Sequence, residues 1–272
     1  VTDDLWLHQA LAQAELALPL SSPNPAVGCV LVRDGELLGQ GHTQAVGGPH
    51  AEVMALRDAQ DRGHSSLRGA TAYVTLEPCA HHGRTPPCAD ALVREGLARV
   101  VIACVDPNPL VAGQGVARLE AGGVEVLQLP PEHPVATQAR EILIGFLSRM
   151  VRLRPWVRLK VAASLDGRTA LDNGVSQWIT STAAREDGQR WRARASAVLT
   201  GIGTVLDDNP RLDVRHLPAP RQPLRVVLDS RWRTPPDAAL FTSEGGVLVV
   251  GLAPLDAAAL ERQVALSEAG AQ

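Results

Sequence analysis

The stretch VTLEPCAHHGRTPPC, Val74–Cys88, decides the fold. It starts as the end of an apolar strand, TAYVTL (71–76), and finishes where Pro87 opens a helix over 87–95. Between Cys79 and Cys88 lie eight residues. Upstream, GPHAEVMAL (48–56) places His50 and Glu52 at the start of another helix, 50–62, closed by Gly63. Glu52 alone reads as a carboxylate favouring the positive end of a helix dipole. Taken with the two cysteines, His50 completes a set of one imidazole and two thiols, which suits zinc.

Three protein ligands leave a fourth position for water, the pattern of a catalytic rather than a structural site. The ion would lower the pKa of that water, and Glu52 would carry its proton to a ring nitrogen and a leaving amine. His-x-Glu followed by Pro-Cys and a second Cys is the pattern of zinc-dependent nucleobase deaminases, although their cysteines are usually two residues apart. A closed structural site, with His81 or His82 as fourth ligand, is the competing reading.

Composition sets the limits around this site. With 272 residues the chain is long enough for two domains. It is 45% hydrophobic and 20% charged, as soluble enzymes are. Its formal charge of −3 and its two Phe, one Tyr and five Trp give no general footprint for nucleic acid. The start of the chain carries Asp3, Asp4 and Glu15 and none of the basic residues of a secretory signal. No run of eighteen apolar residues reads as a membrane span. A cytoplasmic enzyme is expected. Cys29 in AVGCVLV and Cys104 in RVVIACV read as small core residues.

Outward from the site, periodicity predicts a helix over 3–18, a strand at 26–32 and an Asp-Gly hairpin at 33–36 leading to another strand. Further strands are expected at 99–105 and 124–129, with helices near 115–121 and over 135–149. Strands alternating with helices make an α/β layer architecture. The basic, proline-containing run RMVRLRPW (149–156) is read as the boundary between domains at 1–149 and 150–272. After it come a strand at 156–164, a helix from Ser181 or Thr182 to about Ala195, strands at 196–200, 224–229 and 247–251, and a helix at 255–270.

PNPAVGCVLV, PHAE, TLEPCAHHGRTPPC and DPNP, in this order, resemble the deaminase half of the bifunctional riboflavin-biosynthesis deaminase/reductase family. The resemblance covers nearly all of 1–149 and implies a cytidine-deaminase-like α/β/α sandwich. It implies a small-molecule substrate, a diaminopyrimidinone with a ribosylamino 5′-phosphate, whose ring amine is hydrolysed to a carbonyl. His50, Cys79 and Cys88 fall on the zinc ligands and Glu52 on the proton shuttle. Asn24 of PNP falls where the family contacts the pyrimidine, although it also suits a turn between two prolines. His82 and Arg84 are candidates for the substrate or its phosphate, or for a solvated loop. Where the family often has histidine two residues after the Gly of GxG, this chain has His42 and then Thr43.

LKVAASLDGRTA (159–170), SQWITS (176–181) and AVLTGIGTVLDDNPRLDVR (197–215) resemble the family's reductase half. That half resembles dihydrofolate reductase, and it implies NADPH and reduction of the ribosyl group to ribityl. The resemblance assigns Ala162, Trp178, Thr204, Asp208 and Ser230 to the cofactor, and Ser176, Arg192, Leu212 and Arg215 to the substrate. TGIGT (200–204) can bring backbone amides to a phosphate or can be only a tight turn. Trp178 also suits a core, Arg192 a solvated helix face, and Lys160 a strand side chain with its head in water. About 118 residues follow the linker, against roughly two hundred in family reductases, and the late glycine-rich cofactor loop is missing. Deamination is therefore expected with weak reduction, and the second domain is expected to be marginal or covered in a homo-oligomer. An editing deaminase acting on nucleic acid, with an inactive second domain, is the other reading, and a non-catalytic zinc-stabilised assembly module a third.

Overall fold

The computed structural model describes residues 3–80, 86–108, 111–253 and 256–272. The chain divides into two compact units, Val1–Val157 and Arg158–Gln272.

The first unit is built on a five-stranded sheet of β1 (Gly28–Arg33), β2 (Glu36–His42), β3 (Thr71–Val74), β4 (Arg99–Ile102) and β5 (Glu125–Gln128). Their order is β2-β1-β3-β4-β5. The 33–36 hairpin makes β2 antiparallel to β1, and β1 is antiparallel to β3. Helical crossovers make β3, β4 and β5 parallel. Gly28 to Val32 of β1 are all buried, so both faces of the sheet are covered, and continuous apolar runs rather than alternation mark such strands.

α1 (Asp3–Ala17) contributes Leu7, Ala10 and Leu11 to the core of this unit and packs on β1 and on α5 (Pro134–Ile142). α2 (Ala51–Asp61) packs on β2 through Ala51, Ala55 and Ala59. α3 (Cys88–Arg94) touches α2 and packs on α4 (Gln114–Ala121). The expected helix over 135–149 is two helices, α5 and α6 (Ile144–Arg152), which meet at the buried Leu143. α6 runs through the expected boundary at 149/150, because amphipathic spacing continues past the point where the basic run begins.

The second unit holds α7 (Thr182–Arg194), β6 (Ala197–Gly201), α8 (Ile202–Asp208), β7 (Leu224–Leu228), β8 (Val247–Val250) and α9 (Ala257–Glu268). Its three strands are parallel in the order β6-β7-β8. Val205, Val227, Leu240, Val247, Val249 and Leu266 form its small core. The strand expected at 156–164 does not form. Val157 and Leu159 are 81% and 85% exposed, and no described strand pairs with the segment, so nothing satisfies its backbone as a ladder would.

Close approach of β2 to α2 requires glycine. A Cβ on Gly41 would lie 2.5 Å from the Ala55 backbone nitrogen, and one on Gly39 would lie 2.4 Å from the Ala55 carbonyl oxygen. Gly41→Ala is expected to destabilise the first unit by about 1–3 kcal/mol, the range for overpacking. Chemical denaturation followed by circular dichroism measures it, and an unchanged midpoint would mean that α2 can retreat freely.

Candidate metal centre and basic groove

His50 is the residue before α2, in extended conformation, and its side chain does not cap the helix. The ring is therefore free to face the loop after β3. Cys79 lies in that loop, and its carbonyl accepts from the Ala89 N–H in the first turn of α3 at 3.2 Å. Cys88 is the first residue of α3, set by Pro87 before it. His50 Nδ1 stands 3.6 Å from Cys79 Sγ and 3.4 Å from Cys88 Sγ. The three ligand atoms all lie within 4.8 Å of one another. Zinc ligands at about 2.3 Å for sulfur and about 2.0 Å for nitrogen, at tetrahedral angles, stand about 3.5 Å apart. The donor set and its spacing fit zinc.

The cluster is electrostatically tense. A hydrogen bond from Cys88 and another with His50 pull Cys79 down to about 4. Its partner moves the other way: the hydrogen bond to Cys79 and burial hold the Cys88 proton on. The Cys79 sulfur holds His50 above its ordinary value. Glu52, 3% exposed in the first turn of α2, is pushed up to about 7 by burial and by Cys79, with His50 opposing. One thiolate is favoured and a second is not, until a cation replaces the proton.

Glu77 fixes the loop that carries Cys79. Its buried carboxylate accepts four backbone N–H groups, from Gly115 (2.9 Å) and Val116 (3.3 Å) on one oxygen and from Gly113 (3.1 Å) and Asp106 (3.2 Å) on the other. Arg118 of α4 donates to the Ala80 carbonyl at 3.2 Å and forms an ion pair with Asp90 of α3. Sequence reasoning gave neither residue a role. Glu77 lies inside the quoted motif, but its partners are amides some thirty to forty positions away.

Asn24 is half-buried in a turn, its own N–H donating to the Ser21 carbonyl at 2.8 Å. His42 meets Gln13 at 3.1 Å. His81, His82 and Arg84 lie outside the described residues.

In the second unit an open groove of about 700 Å³ gathers most of the residues singled out there. Lys160, Ala162, Ser176 and Trp178 come from the segment before α7; Arg192 comes from α7. Thr204 and Asp208 of α8, with Leu212 and Arg215 beyond it, complete the set. Trp178 is 70% exposed, not a core residue, and the Arg185 guanidinium lies over its ring at 4.4 Å. Ser230 is exposed in the turn after β7 and does not line the groove. A Cβ on Gly201 or Gly203 would meet nothing within 4 Å, which leaves the β6–α8 junction open to a ligand.

A mixed sheet with a His/Cys/Cys cluster at two helix starts defines the deaminase class of zinc enzymes. Residues 1–104 match the family model "Cytidine and deoxycytidylate deaminase zinc-binding region", and residues 155–264 match "RibD C-terminal domain". The riboflavin biosynthesis protein RibD of Escherichia coli K12 is 48% identical over 246 residues, covering 86% of this chain and 65% of that protein. The Haemophilus influenzae protein of the same name is 44% identical, covering 93% and 69%. The structure of Acinetobacter baumannii RibD superposes with TM-score 0.82 at 48% identity, covering 96% of this chain and 72% of that one. A diaminohydroxyphosphoribosylaminopyrimidine deaminase/5-amino-6-(5-phosphoribosylamino)uracil reductase from Thermotoga maritima gives TM-score 0.84 at 35% identity, covering 98% and 77%. This chain belongs to the RibD family of riboflavin biosynthesis proteins. It spans about two thirds of the length of the curated relatives it matches. No helix among the described residues is long and apolar enough to cross a membrane.

Glu77→Gln turns an amide group toward two of the four N–H donors and leaves them unpaired. The first unit should lose about 3 kcal/mol by urea denaturation, from two buried donors left unsatisfied. A loss below about 0.5 kcal/mol would mean that the loop holds itself without the carboxylate.

Proposed function

We propose that this chain catalyses the two steps of its family. Its first unit would deaminate 2,5-diamino-6-(5-phosphoribosylamino)pyrimidin-4-one, and its second would reduce the ribosyl group of the product. The observation that carries the first step is the three-ligand cluster with buried Glu52 beside it. His50, Cys79 and Cys88 would hold zinc, which supplies a Lewis acid that acidifies water at neutral pH. Glu52 would take a proton from the attacking water and give it to the ring nitrogen, then pass a second to the departing amine. One water enters and one ammonia leaves, and the ring carbon ends as a carbonyl. A buried carboxyl pushed up to about 7 can serve as both base and acid. Asn24, His82 and Arg84 are proposed to meet the substrate.

In the second unit Ala162, Trp178, Thr204, Asp208 and Ser230 are proposed for NADPH, which supplies a hydride. Ser176, Arg192, Leu212 and Arg215 are proposed for the substrate, with the two arginines on its phosphate. The fit of the second unit to a RibD C-terminal domain and the formal charge of −3 favour a small molecule over nucleic acid.

Purified protein should contain one zinc per chain by metal analysis. Glu52→Gln should keep the zinc and lose at least about a hundredfold in ammonia release from the diaminopyrimidine phosphate, the usual weight of an acid–base group. Near-normal release would refute the role given to Glu52.

Reduction is expected to be much slower than deamination in this chain. The segment that supplies Lys160, Ala162 and Ser176 to the groove forms no strand, and Leu165 and Leu171 on it are exposed. Few buried contacts therefore hold its groove residues in place. NADPH oxidation with the deaminated intermediate supplied directly tests this, and turnover as fast as deamination would overturn it.

A further inference from the structure

Three arginines of the groove converge on one residue that lies beneath them, two on its carboxylate and one on its backbone carbonyl. Asp213 is 3% exposed. Its Oδ1 accepts from Arg215 Nη1 at 2.8 Å, and its Oδ2 accepts from Arg211 Nε at 2.9 Å. The third arginine, Arg192, donates from Nη1 to the Asp213 backbone carbonyl at 2.7 Å. The side chains of Arg211 and Arg215 remain 48% and 39% exposed, so each guanidinium is held on one side and open on the other.

Asp213 is itself held. Ser243 Oγ donates to its Oδ2 at 2.7 Å and accepts from Arg211 Nη2 at 2.9 Å. Ser243 belongs to the loop before β8, and that loop is gripped by Arg225 of β7. Arg225 is fully buried, and its guanidinium hydrogen-bonds to backbone carbonyls. It donates to the carbonyls of Leu240 (2.6 Å), Ser243 (3.0 Å), Glu244 (2.9 Å), Gly245 and Gly246 (3.4 Å). The chain of support therefore runs from the sheet through the loop to Ser243, from Ser243 to Asp213, and from Asp213 to the arginines.

Charge counting shows what the cluster fits. Three guanidinium groups against one carboxylate leave two positive charges, and a phosphate monoester dianion carries two negative ones. Burial, and after it the nearby charge of Arg215, make the Arg192 cation harder to keep, with Asp213 opposing. Like charges are held together here at a cost that an anion would relieve. The open N–H groups of a guanidinium suit phosphate oxygens in paired contacts.

We propose that Asp213 is a positioning residue that presents Arg192, Arg211 and Arg215 as one phosphate cradle, and that Arg211 is a direct ligand of that phosphate. This rests on the reading of Arg192 and Arg215 as phosphate ligands and adds to it Arg211, the carboxylate beneath and the hydroxyl that holds it.

The alternative is a salt network that only staples α7 and the 240–246 loop to the 211–215 segment. The two differ in what Asp213→Asn does. The mutation removes a negative charge, so a carboxylate acting by charge alone would on removal tighten anion binding. A positioning carboxylate would on removal loosen it. The 272-residue chain is titrated with inorganic phosphate by calorimetry at low ionic strength, with thermal unfolding of each variant recorded beside it. Asp213→Asn and Arg211→Gln are each expected to weaken phosphate about tenfold, the weight of one charge-assisted hydrogen bond. Ser243→Ala, which changes no charge, should weaken it several-fold, and Ser243→Thr should restore it. Unchanged or tighter phosphate binding in Asp213→Asn overturns the positioning role, and unchanged binding in Arg211→Gln overturns the ligand role. If Asp213→Asn fails to fold, the Ser243 pair decides: equal affinity in Ser243→Ala and the parent chain overturns the proposal. Failure of the underlying reading looks different. There, the parent chain binds no phosphate, or Arg192→Gln and Arg215→Gln bind it as well as the parent does.

Discussion

Two helix N-termini must be held within a ligand's reach of each other for the first unit to do anything. α2 starts one residue after His50 and α3 starts at Cys88 itself. Each turns first-turn backbone N–H groups and the positive end of a helix dipole toward the cluster, and in α3 those of Cys88 and Ala89 donate to the Cys79 sulfur and carbonyl. Bringing two such ends together is unfavourable unless negative charge lies between them. The Cys79 sulfur supplies it, because dipoles of this sense favour the thiolate, while Cys88 keeps its proton. Glu52 adds an acidic group in the same volume, pushed up by burial and by the Cys79 sulfur. A cluster of one imidazole, two sulfurs and a carboxylate is a donor set whose charge a dication would balance. Metal binding and folding of this corner are therefore coupled: the cation that completes the charge balance also relieves the repulsion that packing imposes.

The same device keeps the loops of both units in place. A buried carboxylate just past the end of a parallel strand collects donors from loops distant in sequence. Glu77, three residues past β3, collects four amides. Asp229, immediately after β7, accepts the amide and hydroxyl of Thr234 and the amide of Arg231. Sites in parallel α/β sheets lie at the carboxyl ends of strands because loops and helix starts gather there. These carboxylates are what such a position needs: acceptors without donors, able to satisfy several N–H groups at once. Arg225 is the mirror case, a buried donor set that collects five carbonyls.

This division explains what could be read from the sequence. His50, Glu52, Cys79 and Cys88 were legible because metal chemistry admits few residue types and the flanking turn and proline fix where helices begin. Most elements of the first unit were legible because buried runs and glycine or proline stops leave a pattern. Groove residues such as Thr204 or Leu212 came only through family resemblance, since nothing in their local pattern distinguishes a wall from a turn. Glu77, Asp213 and Arg225 were not legible at all. Their partners are backbone groups or side chains brought close by folding, and no spacing rule connects a carboxylate to amides across a crossover. The strand at 156–164 failed for a related reason. Its apolar character was read correctly, but a strand is a relation between two segments, and no described segment pairs with this one.

Net charge misleads in a similar way. A chain with 26 basic and 29 acidic residues gives no sign of an anion site. Yet Lys160, Arg185, Arg192, Arg211 and Arg215 share one groove whose lining carboxylate is Asp208. With Asp213 beneath, the local excess is positive and directional. Field lines from such a groove are focused by the low-dielectric walls around it, so the local potential need not follow the sign of the whole chain. Under the proposed function, shape would favour a small phosphorylated molecule over a polyanion. A phosphate ester can enter a groove and neutralise two charges there, whereas a nucleic-acid backbone needs a basic stripe that extends beyond it, which an acidic overall balance opposes.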